Sequence, residues 1–261
     1  IFFFIGHKFL MQRSDIINKY YELSHLKDYF SKEIILWFVK NKRTLPWRTK
    51  ISQDNFSYLV LVSEFMLQQT QVKTVIPYFQ RFIAKWPTVQ SLAKAKDKEV
   101  LMFWQGLGYY SRGRNLLKSA KVIVSDYSGK IPVKEEELKK LPGVGDYTAA
   151  AIRSIAFNKK AVALDGNVKR VIARFFGLEG TLESNLNVIE KIAGLICPNS
   201  NNRNYTQGVM ELGAIICKPK KPDCAQCIVS KHCIAFSSYK TDSIPLPKKR
   251  LQKKKLKCVT Y

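Results

Sequence analysis

The sequence has few acidic residues and no long apolar run. Its 20 Asp and Glu residues stand against 44 Lys and Arg residues, which gives a formal net charge of +24 at pH 7. No apolar run approaches the roughly 18 residues that a membrane-spanning helix needs, and no basic amphipathic helix stands out. We therefore expect no membrane partner. A charge this positive favours a polyanionic partner, and nucleic acid is the first candidate.

The first residues also lack the features of a secretory signal. Residues 1–6 are apolar, but neither a basic flank nor a small-residue cleavage site accompanies them. We interpret this stretch as a fragment edge or upstream readthrough, and we expect Met11 to be the natural start. The length allows one large domain or two small ones, with enough chain to bury a core.

Cysteine is scarce, and most of it lies in one short segment. Four of the six cysteines follow the spacing C-x6-C-x2-C-x5-C, and they are Cys217, Cys224, Cys227 and Cys233. In a sequence without a secretory signal, four cysteines this close indicate a metal site rather than disulfides. The spacing does not distinguish tetrahedral zinc from an iron–sulfur cluster, because both use four thiolates. Cys197 and Cys258 lie outside the pattern, and we expect them to be ordinary thiols.

A glycine-rich hairpin is predicted at residues 141–152. Gly143 and Gly145 permit backbone angles that other residues avoid, and Asp146 or Thr148 can cap the Ala-rich helix that follows. Such a corner leaves backbone N–H groups exposed at a helix N-terminus, where they can hold a phosphate oxygen without reading a base. The alternative is a turn that only connects two helices.

Two carboxylates stand out further along the predicted helices. The segment Asp165-Gly166-Asn167 directly precedes the amphipathic run 168–176, so Asp165 is placed as an N-cap, where the helix N-terminus stabilises negative charge. Glu64 lies within an apolar helix, with Gln68 one turn further on the same face. Glu64 is either solvated or partly buried with a raised pKa, which would suit a general acid. If both face one cleft, Glu64 could act as the acid and Asp165 as the anion.

Two further segments combine aromatic side chains with cations. Glycines on both sides of Leu107, followed by Tyr109, would suit a wedge that enters a base stack next to phosphate anchors. The alternative is a helix C-cap with its aromatic residues folded into the core. The loop at residues 43–48 presents Trp47 and two arginines, unless Trp47 fills the core between helices.

Taken together, these motifs resemble a known family. The hairpin at residues 141–145, with Asp165, resembles the helix-hairpin-helix and aspartate signature of the endonuclease III superfamily of DNA glycosylases. The four-cysteine loop is similar to the four-iron four-sulfur loop of that superfamily. The resemblance extends from about residue 36 to residue 235. Four stretches are similar to those of the MutY-type adenine glycosylases, at residues 45–48, 63–70, 106–112 and 165–168.

The resemblance implies an all-α fold of two helical domains with a cleft between them. A six-helix barrel domain with the hairpin would span residues 52–160. An iron–sulfur cluster domain would combine residues 14–51 with residues 161–240. The basic segment 241–261 would be the linker to a C-terminal domain that recognises 8-oxoguanine in this family and that this sequence lacks.

The resemblance also implies a reaction. Superfamily members that cut the strand carry a lysine nucleophile two residues past the second hairpin glycine, where this sequence has Tyr147, so a monofunctional glycosylase is expected. Glu64 would protonate N7 of a flipped adenine, and Asp165 would stabilise the positive sugar. Tyr147 and Asn167 would assist at the sugar and at Asp165.

The DNA-binding residues implied by the same resemblance are Arg48, Gln68, Gln69, Thr70, Leu107, Tyr109, Gly143 and Gly145. The expected partner is double-stranded DNA with adenine mispairs, bound by a monomer in the bacterial cytoplasm at the nucleoid. One structural 4Fe-4S cluster is the expected cofactor, with zinc as the alternative. Two other functions stay open: a thymine or uracil mismatch glycosylase, and a non-catalytic DNA-binding module with Asp165 only as a cap.

Overall fold

The computed structural model describes residues 24–49 and 52–248. In these ranges the chain forms helices and turns and no strand, which confirms the all-α class. None of the helices described is long and apolar enough to cross a membrane. Outside the described residues lie the expected start at Met11, residues 14–23 of the predicted cluster domain, and residues 249–261 of the predicted linker, with Cys258.

The α-helices are α1 (Ser24–Asn41), α2 (Gln53–Leu67), α3 (Val72–Lys85), α4 (Val89–Ala93), α5 (Asp97–Trp104), α6 (Ser111–Asp126), α7 (Glu135–Leu138), α8 (Asp146–Ala151), α9 (Gly166–Phe175), α10 (Leu186–Ile196), α11 (Asn202–Ile215) and α12 (Ile234–Ser237). Short 3-10 turns lie at Pro46–Arg48, Cys224–Gln226 and Ser230–His232. A π-helical turn, Ile152–Ala156, extends α8.

The first of two hydrophobic clusters is formed by helices α2 to α8. Residues 56–66 of α2 are all buried, so α2 runs through the middle of this cluster. Aromatic rings pack around it, and the Phe82 ring centroid lies 4.8 Å from that of Trp86. The buried Tyr58 hydroxyl on α2 donates a hydrogen bond to the Trp86 carbonyl oxygen, at 2.9 Å. A polar side chain in the middle of α2 is therefore largely shielded from bulk solvent.

The second cluster is formed by α1 together with α9 to α12. Phe30 of α1 packs on Phe175 of α9, with ring centroids 4.8 Å apart. Helix α1 also packs against α11, where a Cβ added to Gly208 would lie 2.7 Å from Ile34 Cγ2. A glycine is needed at that contact because no other residue lets the two helices approach so closely. The first helix of the described residues thus packs with the last third of them.

The chain passes from the first cluster to the second between Ala163 and Val168. This crossover lies close to residue 160, where the predicted barrel domain ends. The domain boundaries at 52–160, 14–51 and 161–240 stay predictions.

The hairpin corrects two expectations about its glycines and caps. Gly143 has φ +81°, and a Cβ there would lie 2.9 Å from both Phe65 and Asn115, so glycine is required. Gly145 has φ −98° and ψ −173°, an extended conformation open to any residue. Gly145 is itself the N-cap of α8, without a side-chain cap bond. The predicted capping by Asp146 or Thr148 is therefore wrong.

Candidate active site

A cavity of about 600 Å³ lies where the two clusters meet. Helices α2, α8 and α11, the loop that enters α9 and the segment before α2 contribute to its lining. Eight of the residues singled out from the sequence line it, and they are Arg48, Glu64, Gln68, Gln69, Thr70, Tyr147, Asp165 and Asn167. Tertiary structure thus brings together residues that the sequence separates widely.

Glu64 faces this cavity from the buried middle of α2. It is 6% exposed, so the solvated alternative considered from the sequence is wrong. Burial raises the pKa of Glu64 to about 7, and the nearby charge of Asp165 also raises it, while a hydrogen bond with Tyr147 acts in the opposite direction. A carboxyl group with this pKa is able to donate a proton near neutral pH.

Asp165 is the N-cap of α9, as the sequence predicts. Its Oδ1 accepts a hydrogen bond from the Val168 backbone N–H at 2.7 Å, and its Oδ2 accepts one from Asn167 Nδ2 at 2.9 Å. Both oxygens are therefore fixed by donors at a helix N-terminus, an arrangement that stabilises negative charge.

Tyr147 hydrogen-bonds with one carboxylate and is influenced by the charge of both. Burial raises its pKa well above the ordinary value, and the charges of Glu64 and Asp165 raise it further. The phenol therefore stays protonated, and its hydroxyl hydrogen-bonds with Glu64. Asn167 belongs to the same group of residues through its bond to Asp165.

The cavity also contains a buried ion cluster that the sequence reasoning missed. Glu211, 2% exposed, accepts hydrogen bonds from Arg43 Nε at 2.6 Å and from Arg48 Nη2 at 2.9 Å. Burial alone raises the pKa of Glu211, but the bonds from the two arginines outweigh it and bring the pKa to about 2. Arg48 Nε also donates to Gln207 Oε1, at 3.0 Å. A lone carboxylate between Met210 and Leu212 was the available signal, the same one that marked Glu64.

The residues predicted to probe DNA fall into two groups. Gln69 and Tyr109 are exposed, Tyr109 at 61%, and both have positive φ angles. Leu107 is only 5% exposed, because the turn folds it into the first cluster, so in this structure Tyr109 is the side chain available as a wedge. Trp47 is buried against Phe79, with ring centroids 5.3 Å apart, as the core alternative predicts.

Hydrogen bonds connect this site with the cysteine loop. Asn167 Oδ1 accepts a bond from Arg170 Nη2 at 2.8 Å, and Arg170 Nε donates to the Cys217 carbonyl oxygen at 2.9 Å. Arg170 therefore fixes Asn167, which in turn fixes Asp165.

The four cysteines of the predicted metal site line one small cavity together with Arg174. Arg174 Nη1 lies 3.4 Å from Cys217 Sγ, within hydrogen-bonding distance. Burial, together with the repulsion of the neighbouring thiols, raises the pKa of Cys227 to about 12 and that of Cys233 to about 11. A bound cationic centre would relieve this repulsion, so the donor set fits a thiolate-ligated group. Within the described ranges, no three His, Cys, Asp or Glu side chains are arranged to hold a single metal ion.

Comparison with known protein families identifies the fold. Residues 62–197 match the HhH-GPD superfamily of base excision DNA repair proteins. The chain belongs to this superfamily. The matched range contains Glu64, Tyr147, the hairpin and Asp165, so the superfamily model covers the centre of the cavity.

Members of this superfamily similar to the chain include characterised glycosylases. An adenine DNA glycosylase of Buchnera aphidicola subsp. Schizaphis graminum is 40% identical over 225 residues, which cover 85% of this chain and 63% of that protein. The human adenine DNA glycosylase is 44% identical over 214 residues, which cover 79% of this chain and 39% of that protein. A solved thermostable thymine-DNA glycosylase has a TM-score of 0.71 at 31% identity, covering 81% of this chain and 97% of that one. The chain thus spans less than two thirds of either adenine glycosylase.

Proposed function

We propose that the chain is a monofunctional DNA N-glycosylase that removes adenine mispaired with 8-oxoguanine or guanine in duplex DNA. The observation that supports this most strongly is the placement of Glu64 and Asp165 in one cavity, which Tyr147 also lines and where it hydrogen-bonds with Glu64. Burial raises the pKa of Glu64 to about 7, which suits a general acid. Two hydrogen-bond donors fix Asp165 at a helix N-terminus.

The reaction begins when the target adenine leaves the base stack and enters the cavity. Glu64 donates its proton to N7, so the base departs as neutral adenine and takes the electron pair of the N-glycosidic bond. The sugar is left with a positive charge, which Asp165 stabilises across a short distance in a partly buried site. Water adds to the sugar carbon and loses a proton to the ionised Glu64, which is thereby restored.

The absence of an amine supports the monofunctional assignment. Among the described residues that line the cavity there is no lysine, and Tyr147 takes the position at which lyases of the superfamily carry one. A Schiff base with the opened sugar therefore has no nucleophile here. The product is an abasic site in an intact strand.

The four cysteines hold one 4Fe-4S cluster in this proposal. The cluster supplies a rigid centre for the loop that carries Lys218, Lys220, Lys221 and Lys231. These lysines lie in or next to the four-cysteine segment and would contact DNA phosphates, in keeping with the net charge of +24. A brown protein with visible absorption and about four irons per chain is expected. Colourless protein with bound zinc would contradict this assignment.

A thymine or uracil mismatch glycosylase is the second candidate, because the solved thymine-DNA glycosylase is 31% identical to this chain. Thymine has no N7, so an acid at Glu64 would have no ring nitrogen of that kind to protonate. The identity to the two adenine glycosylases described above is also higher, at 40% and 44%.

A single-turnover assay separates these possibilities. Three duplexes carry adenine opposite 8-oxoguanine, adenine opposite guanine, and thymine opposite guanine, each treated with and without alkali. Adenine release with strand breaks only after alkali supports the proposal, and the ratio of the first two rates reports the preference for 8-oxoguanine. Thymine release supports the second candidate. Binding of the duplex without release of any base would indicate a non-catalytic DNA-binding module.

Asp165→Asn provides the internal control. It keeps the size and capping ability of the side chain but removes its charge, so excision should be abolished while duplex binding persists. Loss of binding would instead show that Asp165 acts mainly as the cap of α9.

A further inference from the structure

Arg112, at the start of α6, is an unusual buried cation. It is 6% exposed, and none of the ion pairs in the described part of the chain includes it. Burial lowers its pKa, which shows that the environment does not reward the charge as a carboxylate would. An arginine kept in this position needs another explanation.

The Arg112 guanidinium binds main-chain carbonyl oxygens from two separate segments. Nη1 donates to carbonyls at the end of α2, those of Phe65 at 3.2 Å, Met66 at 2.8 Å and Gln68. Nη2 donates to carbonyls of the turn after α5, those of Leu107 at 3.1 Å and Gly108 at 3.0 Å. We call residues 68–70 and 106–109 the probing loops. One planar group thus joins both.

Two of these carbonyls occupy equivalent positions in their loops. The Gln68 carbonyl belongs to the peptide unit before Gln69, whose φ is +56°, and the Gly108 carbonyl belongs to the unit before Tyr109, whose φ is +48°. The orientation of a peptide unit contributes directly to the φ angle of the residue that follows. Positive φ is unfavourable for residues with a Cβ and persists only where the surroundings impose it. Arg112 is positioned to impose it at both residues.

We propose that Arg112 is a positioning residue that holds the two probing loops in a fixed mutual arrangement and thereby sets discrimination of the base opposite the target adenine. The inference rests on the proposed function, since Gln69 and Tyr109 are the residues expected to probe that base and its strand. Arg112 itself touches neither the base nor the reacting atoms. Its effect passes through the backbone of Gln69 and Tyr109 and through the Tyr109 ring, because the guanidinium carbon lies 5.5 Å from the centroid of that ring.

Only arginine suits this task. Its planar guanidinium presents donors in a fixed fork, whereas lysine offers three donors around one nitrogen and cannot reach both sets of carbonyls in the same geometry. Arg112→Lys therefore keeps the charge but loses the bridge, and Arg112→Gln loses both. The pair separates the role of the geometry from that of the charge.

Arg203 provides a matched control. It donates from Nε to the Ile155 carbonyl at 2.7 Å and from Nη2 to the Ala156 carbonyl at 2.7 Å, and it lies over the Phe56 ring. It therefore binds carbonyls at the end of another helical segment, away from the probing loops. Arg203→Gln removes bonds of the same kind without touching Gln69 or Tyr109.

The test needs a measurement that does not depend on cleavage of the N-glycosidic bond. The duplex carries a non-hydrolysable 2′-fluoro sugar at the target adenine and 2-aminopurine beside the opposite base, so that base separation raises the fluorescence. The same proteins are then assayed for excision of adenine opposite 8-oxoguanine and opposite guanine under single-turnover conditions. Circular dichroism fixes a temperature at which every variant is folded.

We expect both Arg112 variants to lose most of the fluorescence rise and to lower the 8-oxoguanine to guanine rate ratio by about tenfold, as loss of charged hydrogen bonds predicts. Arg203→Gln should leave both within about twofold of the unmutated protein, since its site is independent. The proposal is overturned if the Arg112 variants keep the fluorescence rise and the rate ratio, or if Arg203→Gln lowers both equally. If the unmutated protein excises no adenine, the proposed function fails, yet the fluorescence comparison still tests Arg112.

Discussion

Glu64 and Glu211 are two buried carboxylates on the wall of one cavity, and their pKa values lie far apart. Glu64 is 6% exposed with a pKa of about 7, and Glu211 is 2% exposed with a pKa of about 2. Burial opposes ionisation of both. The difference comes from their partners, because Glu64 has the neutral Tyr147 hydroxyl beside it and Glu211 has two guanidinium groups.

The comparison shows how one cavity can hold an acid and a fixed anion at the same pH. Removing solvent from a carboxylate favours its protonated form, and in Glu211 the two hydrogen-bonded arginine cations reverse that preference. On the α2 side of the cavity, Glu64 thus carries a proton that it can transfer. On the α11 side, ionised Glu211 fixes Arg43 and Arg48 by ion pairs.

The largest expected effect follows from replacing the acid. Glu64→Gln removes the proton donor with little change in volume, so adenine excision should fall by about 10²- to 10⁴-fold in a single-turnover assay. The same change should raise the stability at about pH 8, because the folded protein no longer buries an ionised carboxylate there. An unchanged excision rate would refute the role of Glu64.

Replacing the anion should instead reduce stability. Glu211→Gln leaves Arg43 and Arg48 without their counter-charge. Breaking a fully buried pair costs about 3 to 5 kcal/mol of unfolding free energy, and the loss here should be smaller because the Arg43 side chain is 37% exposed and the Arg48 side chain 15%. Urea denaturation measures the loss. Glu136→Gln is the control, since Glu136 is exposed and belongs to none of the ion pairs of the described residues. Equal stability of the two variants would contradict the assignment of Glu211.

The pH dependence of excision tests the proton-donating role of Glu64, which distinguishes it from Glu211. With a pKa of about 7, Glu64 is protonated below that pH and ionised above it. The excision rate should therefore fall as the pH rises beyond 7, approaching about tenfold per pH unit, over a profile between about pH 6 and 9. A rate that increases throughout this range would show that the proton comes from another group.

The smallest expected effect concerns the pH dependence of stability, and the two carboxylates should act with opposite signs. Glu211 has a lowered pKa, so its contribution to stability is present above its ordinary value of 4.5 and is lost as the pH falls toward 2. Glu64 has a raised pKa, so its contribution is present below 4.5 and is lost as the pH rises through 7. The urea midpoint is measured from about pH 3 to 8. Its dependence on pH should become weaker in the acid range for Glu211→Gln and in the neutral range for Glu64→Gln. The same weakening in both variants would contradict the comparison.

The helical class was implied by the resemblance to a known superfamily, and local sequence signals were sufficient for the cap at Asp165. An Asp followed by an amphipathic run needs only neighbouring residues to define its geometry, and the structure confirms that cap. The cavity residues also lie in segments whose motifs are visible in the sequence. Their roles in catalysis and DNA binding stay predictions.

The features that the sequence did not reveal depend on packing between distant segments. Glu211 meets Arg43 and Arg48 only because α11 packs next to the segment before α2, and no spacing rule connects them. Leu107 satisfies the pattern of an exposed wedge, yet tertiary packing turns it inward. Gly145 adopts an ordinary extended backbone, so its sequence pattern implied a conformational need that the fold does not have.

The packing of α1 has a consequence for synthesis of the chain. Phe30 and Ile34 are synthesised well before their buried partners in the second cluster, which lie beyond residue 166. The first cluster, whose buried residues end at Ala163, is complete before the segments of the second cluster up to Ile244 have been made, and it can fold as a unit while the apolar side of α1 is uncovered. The side of the cavity that carries Asp165 and Glu211 is completed only after these later segments have been synthesised. The cavity is thus among the last parts of the molecule to form, and a nascent chain carries Glu64 without the partners that complete the site.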